Sequence, residues 1–207
     1  MLGIYNYTVI LTYLGMLSSF LGLSFAIGGN MQWALLCLMV SGVCDMFDGK
    51  VASTMERTER EKRFGIQIDS LSDLVCFGVL PAVIVYELAG RGPVSLCAGA
   101  AYLLCALIRL AWFNVDEEER QTRSTGAREV YLGLPVTTAA LLLPLLVGLS
   151  KLFGWPAGKL APALLVLMAA AFLTPFKLKK PALPAKIGML LCGGAELALL
   201  LLMRVDI

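Results

Sequence analysis

Long apolar runs broken by short polar stretches set the pattern of this chain. Seven runs stand out, at about 8–28, 32–53, 66–89, 93–114, 132–150, 159–175 and 184–203. A helix that crosses a bilayer needs about 20 mainly apolar residues, so each run predicts one spanning helix. The breaks between them are GGN at 28–30, the charged stretch 56–63, GRGP at 90–93, DEEERQTRSTGARE at 116–129, KLFGWPAGK at 151–159 and KLKKPALPAK at 177–186. Clusters of glycine, proline and charge of this kind end helices and form connections. The pattern predicts an all-α polytopic membrane protein of about six to eight transmembrane helices, one domain over residues 1–207, with no internal repeat. The opening MLGIYNYTVILTYLG lacks the basic start of a secretory signal and reads as a short tail leading into the first helix.

Composition agrees with the pattern and narrows the chemistry. Hydrophobic residues make up 58% of the chain and charged ones 15%, with a mean hydropathy of +0.80, far from a soluble average. A net charge of +2 and no basic run interleaved with aromatics exclude a nucleic-acid surface. There is no histidine, which excludes a histidine zinc site, a Ser-His-Asp triad and a histidine proton relay. Acid–base chemistry must fall to carboxylates, tyrosine, lysine or cysteine. The six cysteines lie in apolar runs without a CxxC pair and read as small buried apolar residues.

Lysine and arginine in short loops set orientation. With 54–65 placed in the cytoplasm, only Arg91, Lys151, Lys159 and Arg204 fall on the far side, leaving 13 of the 17 basic residues on the near one. The N-terminus is then cytoplasmic, in a protein of the cell membrane.

Against this apolar background, DMFDGKVASTMERTEREKRFGIQIDSLSD at 45–73 carries the unusual chemistry. Asp45, Asp48, Gly49 and Ala52 stand at i, i+3, i+4 and i+7, one face of the second helix. Gly65, Asp69, Ser72, Asp73 and Cys76 form one face of the third. Ionised carboxylates near hydrocarbon cost about 2.5 to 3.5 kcal/mol each at the membrane centre, and four together repel. A cation among them resolves both difficulties, and hard oxygen ligands favour Mg²⁺, Mn²⁺ or Ca²⁺ over zinc. Mg²⁺ is commonly held by one or two carboxylates plus substrate phosphates, so small residues beside the acids point to a phosphate-bearing substrate. Two ions could stabilise an in-line phosphoryl displacement.

Two other readings are weighed against this one. A solvated helix end balanced by Arg57, Arg60, Lys62 and Arg63 does not explain acids interleaved with Gly and Ala on matching faces. A divalent-cation transporter would place its acids near the midplane with polar residues continuing to both sides, whereas QWALLCLMV at 32–40 is apolar.

The same stretch resembles the signature of the CDP-alcohol phosphatidyltransferases, D-x-x-D-G-x-x-A-R, a spacer, then G-x-x-x-D-x-x-x-D. Asp45, Asp48, Gly49, Ala52, Gly65, Asp69 and Asp73 match seven of its eight fixed letters. Ser53 stands where the arginine belongs, and the spacer to Gly65 is three residues longer than usual. Either Arg57, about one turn on, supplies a guanidinium, or the nucleotide phosphates are held otherwise. Within the family, FGIQIDSLSDLVCFGVLPA (64–82), RLAWFN (109–114) and YLGLP (131–135, at the start of helix five) are most similar to the phosphatidylserine synthases.

The resemblance implies CDP-diacylglycerol and L-serine as substrates, with phosphatidylserine and CMP as products. It implies a homodimer, and Mg²⁺ or Mn²⁺ as cofactor, two ions in all. Asp45, Asp48, Asp69 and Asp73 are the implied metal ligands, Asp73 also being the general base. Gly49, Ala52 and Gly65 leave room for the nucleotide, and Thr12 and Ser18 of helix one are candidates to touch it. Arg109, expected at the cytoplasmic end of helix four, is the first choice for the serine carboxylate, with Arg123 and Arg128 behind it. A relative that makes phosphatidylglycerol phosphate or a phosphatidylinositol phosphate is the alternative, marked by converging basic residues for a phosphorylated acceptor. DEEER at 116–120 is expected to be a solvated loop, and KLKKPALPAK a loop facing anionic lipid.

Overall fold

The computed structural model describes residues 3–123, 130–179 and 183–202. Among these, seven helical segments follow one another: α1 (Ile10–Ile27), α2 (Met31–Ala52), α3 (Glu59–Leu88), α4 (Pro93–Arg123), α5 (Ala139–Phe153), α6 (Ala157–Leu173) and α7 (Leu183–Leu202). Four stretches are long and apolar enough to cross a membrane: Tyr7–Ile27, Glu59–Leu88, Pro93–Glu119 and Val136–Phe153. The 22 residues of α2 rise about 33 Å at 1.5 Å each, again a bilayer's thickness. Leu14, Leu17, Phe20, Trp112 and Leu167 face outward, as a lipid-facing surface requires. The chain is an all-α polytopic membrane protein.

Small residues bring α1 and α2 together. A Cβ on Gly22 would lie 2.9 Å from Cys37 Cβ, and one on Gly15 would lie 3.4 Å from Cys44 Cβ. Between them the Ser19 and Ser41 hydroxyls meet at 2.9 Å, and Ser41 also donates to the Gly15 carbonyl at 2.9 Å. This is the small-residue packing by which membrane helices associate where hydrocarbon offers no hydrophobic drive. Gly42 does the same for α5, since its Cβ would fall 2.6 Å from that of Ala140. The core is closed by Leu35, Leu38, Phe77, Leu80, Ile84, Tyr102, Leu143, Leu165 and Phe172, all essentially inaccessible.

Helix α3 begins at Glu59, seven residues earlier than the apolar run implies. Thr58 accepts from the Glu61 amide while Glu61 Oε2 accepts from the Thr58 amide at 2.8 Å, a reciprocal capping box that fixes the start inside a charged stretch. Past Asp73 the helix widens into a π-type segment over Leu74–Val79. The cause is local: Pro81 has no N–H to offer the Phe77 carbonyl four residues back. The buried Tyr102 hydroxyl of α4 donates to that carbonyl instead, at 2.5 Å.

Two further expectations are corrected. DEEER does not form a loop; it continues α4, as Glu, Arg and Gln do readily once the apolar requirement is gone. YLGLP does not open helix five: Val130–Leu132 is a short strand paired antiparallel with Lys177–Lys179, with Tyr131 opposite Leu178. Leu134 and Thr174 each precede a proline, which disfavours helix at both. Gly133 takes φ +74 with the space for its Cβ 3.0 Å from the Phe172 carbonyl, so no other residue fits the crossing. Helix α5 starts only at Ala139, after a 3₁₀ turn at Val136–Thr138.

Candidate active site

The C-terminal end of α2 and the first half of α3 lie side by side, and their acidic faces meet. Oxygens of Asp45, Asp48 and Asp69 all lie within 4.8 Å of one another. Asp73 lines the same cleft, one turn deeper on α3. The carboxyls meet in pairs across the helix interface, Asp45 with Asp73 and Asp48 with Asp69. Two carboxylates do not approach so closely without a proton or a cation between them.

The donor set fits a divalent cation. Three hard oxygens come from two helices, and oxygens on opposite sides of one ion stand about 4 to 5 Å apart. Thr12 of α1, itself buried, donates to Asp48 Oδ2 at 3.4 Å; an outer partner of this kind orients a ligating carboxylate. Ser72 donates back to the Thr12 carbonyl at 3.4 Å, so α1 and α3 are tied together behind the acids. The cluster can hold a metal ion.

Of the small residues, Gly49 is exposed with nothing within 4 Å of where its Cβ would be, and the space at Gly65 meets only Arg57 Nη1, 3.3 Å away. Ala52 sits half-buried on the same face as Gly49. The rim of the acid cluster is therefore open on the glycine side. Ser18 is placed elsewhere: it lies outside the cleft lining and donates to the Cys37 carbonyl of α2 at 3.0 Å, so it serves helix packing rather than the rim. Being nearly two turns beyond Thr12, it points away from the acids by depth.

Arg109 is not at a helix end. Because α4 runs on to Arg123, Arg109 lies mid-helix, 8% exposed, with its Nε donating to the Leu134 carbonyl at 3.4 Å and its guanidinium 5.8 Å from the Phe113 ring centre. It ties α4 to the turn between Leu132 and α5. Arg123 closes α4, and its side chain lies outside the described residues, as does Arg128 altogether.

The structure also brings in residues that the motif does not name. Ser41 and Cys44 of α2 line the floor of the cleft; Ser41, Asp45 and Asp48 are at i, i+4 and i+7, so the helical stripe already carried that signal. Ser70 of α3 donates to Asn114 Oδ1 of α4 at 2.8 Å, beside Asp69 in sequence, and no spacing rule connects positions 44 residues apart.

Fold and site together define a polytopic membrane protein with a metal-capable carboxylate cluster at one end of its helix bundle. The family model of the CDP-alcohol phosphatidyltransferases matches residues 5–176, and the chain belongs to that family. Among curated proteins it is 29% identical over 152 residues to the CDP-diacylglycerol-serine O-phosphatidyltransferase of Mycobacterium tuberculosis, covering 72% of this chain and 52% of the relative. It is 34% identical over 139 residues to the enzyme of the same name from Helicobacter pylori, covering 65% and 52%. It is also 31% identical over 135 residues to the archaetidylserine synthase of Methanothermobacter thermautotrophicus, covering 65% and 54%. The chain spans about half the length of the curated relatives it matches.

Proposed function

We propose that this protein transfers the phosphatidyl group of CDP-diacylglycerol to the hydroxyl of L-serine, giving phosphatidylserine and CMP. The observation that carries the reading is the meeting of Asp45, Asp48 and Asp69 within 4.8 Å beside Asp73, at the open glycine rim. The names of the relatives share serine and differ in the lipid, which favours serine as acceptor over a phosphorylated alcohol.

In this reading Asp45, Asp48 and Asp69 hold one divalent ion, Mg²⁺ or Mn²⁺, and Asp73 completes a second site with them. A metal held there would supply charge neutralisation at the diphosphate and so make CMP a better leaving group. Thr12 keeps Asp48 turned toward the site. Gly49, Ala52 and Gly65 leave the nucleotide its space, since a larger side chain on either helix would fill the rim. Asp73, the deepest acid, accepts the proton of the serine hydroxyl as that oxygen bonds to the lipid-side phosphorus and the bond to CMP breaks. Arg109 is the first candidate for the serine carboxylate, to which a guanidinium fork is suited, with Arg123 and Arg128 next. The whole chain acts as a single catalytic domain, working as a homodimer in the cell membrane. Its acid end faces the cytoplasm, the side on which Lys50, Arg57, Arg60, Lys62 and Arg63 gather.

The test is CMP release from CDP-diacylglycerol with Mg²⁺ or Mn²⁺, comparing L-serine, glycerol 3-phosphate, inositol 3-phosphate and no acceptor. Release stimulated by serine alone is expected. Release stimulated only by a phosphorylated alcohol would keep the acid site and overturn the acceptor.

A further inference from the structure

We infer that Arg57 binds the diphosphate of the cytidine nucleotide from the α3 side, where α2 itself ends on Ser53. The inference rests on the phosphatidyltransferase reading for its substrate, and on four observations for its residue. First, the cation in the last turn of α2, Lys50, lies over the Phe47 ring, 5.8 Å from its centre, and the capping position holds Ser53, whose Oγ donates to the Lys50 carbonyl at 2.7 Å. Second, the chain between the helices brings Arg57 back over α3, where Nη1 lies 3.3 Å from the position a Gly65 Cβ would take. Gly65 precedes Asp69 by four residues, so the backbone over which the guanidinium lies is about 6 Å, one helical turn, before Asp69 on the same face of α3. Third, Gly49 opposite is open to 4 Å, which leaves a gap between the guanidinium and α2. Fourth, Arg57 is half-buried, and among the described residues no salt bridge closes on it, although its charge reaches Glu61.

The chemistry of the gap selects its occupant. It has carboxylates, able to hold a divalent ion, on one side and a half-buried guanidinium on the other. A group that satisfies both is a metal-chelating polyanion, and a diphosphate presents oxygens to the ion and to a bidentate Arg fork at once. Serine, with one carboxylate and an ammonium, has no second anionic group for this position. Arg57 should therefore act on the nucleotide substrate and leave the acceptor unaffected. The longer connection is what makes this possible, because the three extra residues let the chain double back before Thr58 caps α3.

The experiment uses the full chain in detergent or nanodiscs, with R57Q, R57K and the double variant S53R/R57Q. Two readouts are taken: steady-state kinetics against CDP-diacylglycerol and serine separately, and equilibrium dialysis of CDP with Mg²⁺, which needs no turnover. R57Q is expected to raise the KM for CDP-diacylglycerol and weaken CDP binding about tenfold or more, the effect of losing a charge-assisted pair, with the serine KM within about twofold. R57K should fall between, keeping the charge without the fork, and S53R/R57Q should regain CDP affinity because position 53 follows Gly49 by one turn. Unchanged CDP affinity in R57Q, or a loss confined to kcat, would overturn the assignment. Wild-type protein that binds CDP through Arg57 yet releases no CMP with any acceptor would overturn the phosphatidyltransferase reading and leave this one standing.

Discussion

The two halves of α3 divide the labour of the protein. From Glu59 to Asp73 only Ser72 is buried, and the exposed or half-buried remainder mixes charged and small residues with Phe64, Ile66, Ile68 and Leu71. From Leu74 to Leu88 the helix buries Cys76, Phe77, Leu80, Pro81, Ile84 and Val85. One continuous helix thus carries chemistry on its first half and packing on its second. The first half can stay open for substrate because the second half is held firmly by α4. Substitutions in the two halves should therefore separate activity from stability.

The largest effect is expected at the acids. Asp73→Asn should lower CMP release by about a thousand-fold, within the range of a lost general base, and should leave the thermal unfolding midpoint unchanged; near-normal turnover would remove its role. Metal removal sharpens the same point: with EDTA, release should fall to background and return with Mg²⁺ or Mn²⁺, while an Asp45→Asn/Asp69→Asn variant should not respond to either.

In the packing half the expected effects are on stability. Phe77→Ala empties a fully buried site and should cost about 3 kcal/mol or more, read as loss of folded protein in a denaturant or thermal series. Tyr102→Phe leaves the Phe77 carbonyl without its hydroxyl donor beside Pro81, and about 1 to 3 kcal/mol is expected. An unchanged midpoint in that variant would show that the widened helix satisfies the carbonyl by itself. The smallest effect belongs to the start of the first half: Thr58→Ala removes one side of the capping box and should cost about 1 kcal/mol. It should also raise the KM for CDP-diacylglycerol modestly, because Arg57 is the residue just before the cap.

Much of this arrangement was legible in the chain. The seven apolar runs became seven helical segments because hydrocarbon leaves a spanning backbone little choice but a helix. The facing acids were legible because a fixed helical period converts spacing into faces. The period does not show where a helix starts or stops once the residues turn polar. That is why α3 begins earlier and α4 ends later than their apolar runs, although the Thr58–Glu61 capping signal was there to be read. The strand pairing of Val130–Leu132 with Lys177–Lys179 was not legible, since it joins segments far apart and depends on Gly133 passing the end of α6.

Residue by residue, the sequence alone determined the membrane class, the carboxylate stripes of Asp45, Asp48, Asp69 and Asp73, and the family resemblance, all consequences of local periodicity and composition. Only the tertiary structure decided the neighbours. It placed Thr12 at Asp48 and Ser18 in the packing, moved Arg109 from a helix end to a buried position under Leu134, and laid Arg57 over Gly65. Those outcomes depend on how deeply one helix slides against another and on which way a connection folds back, and no single segment contains that information.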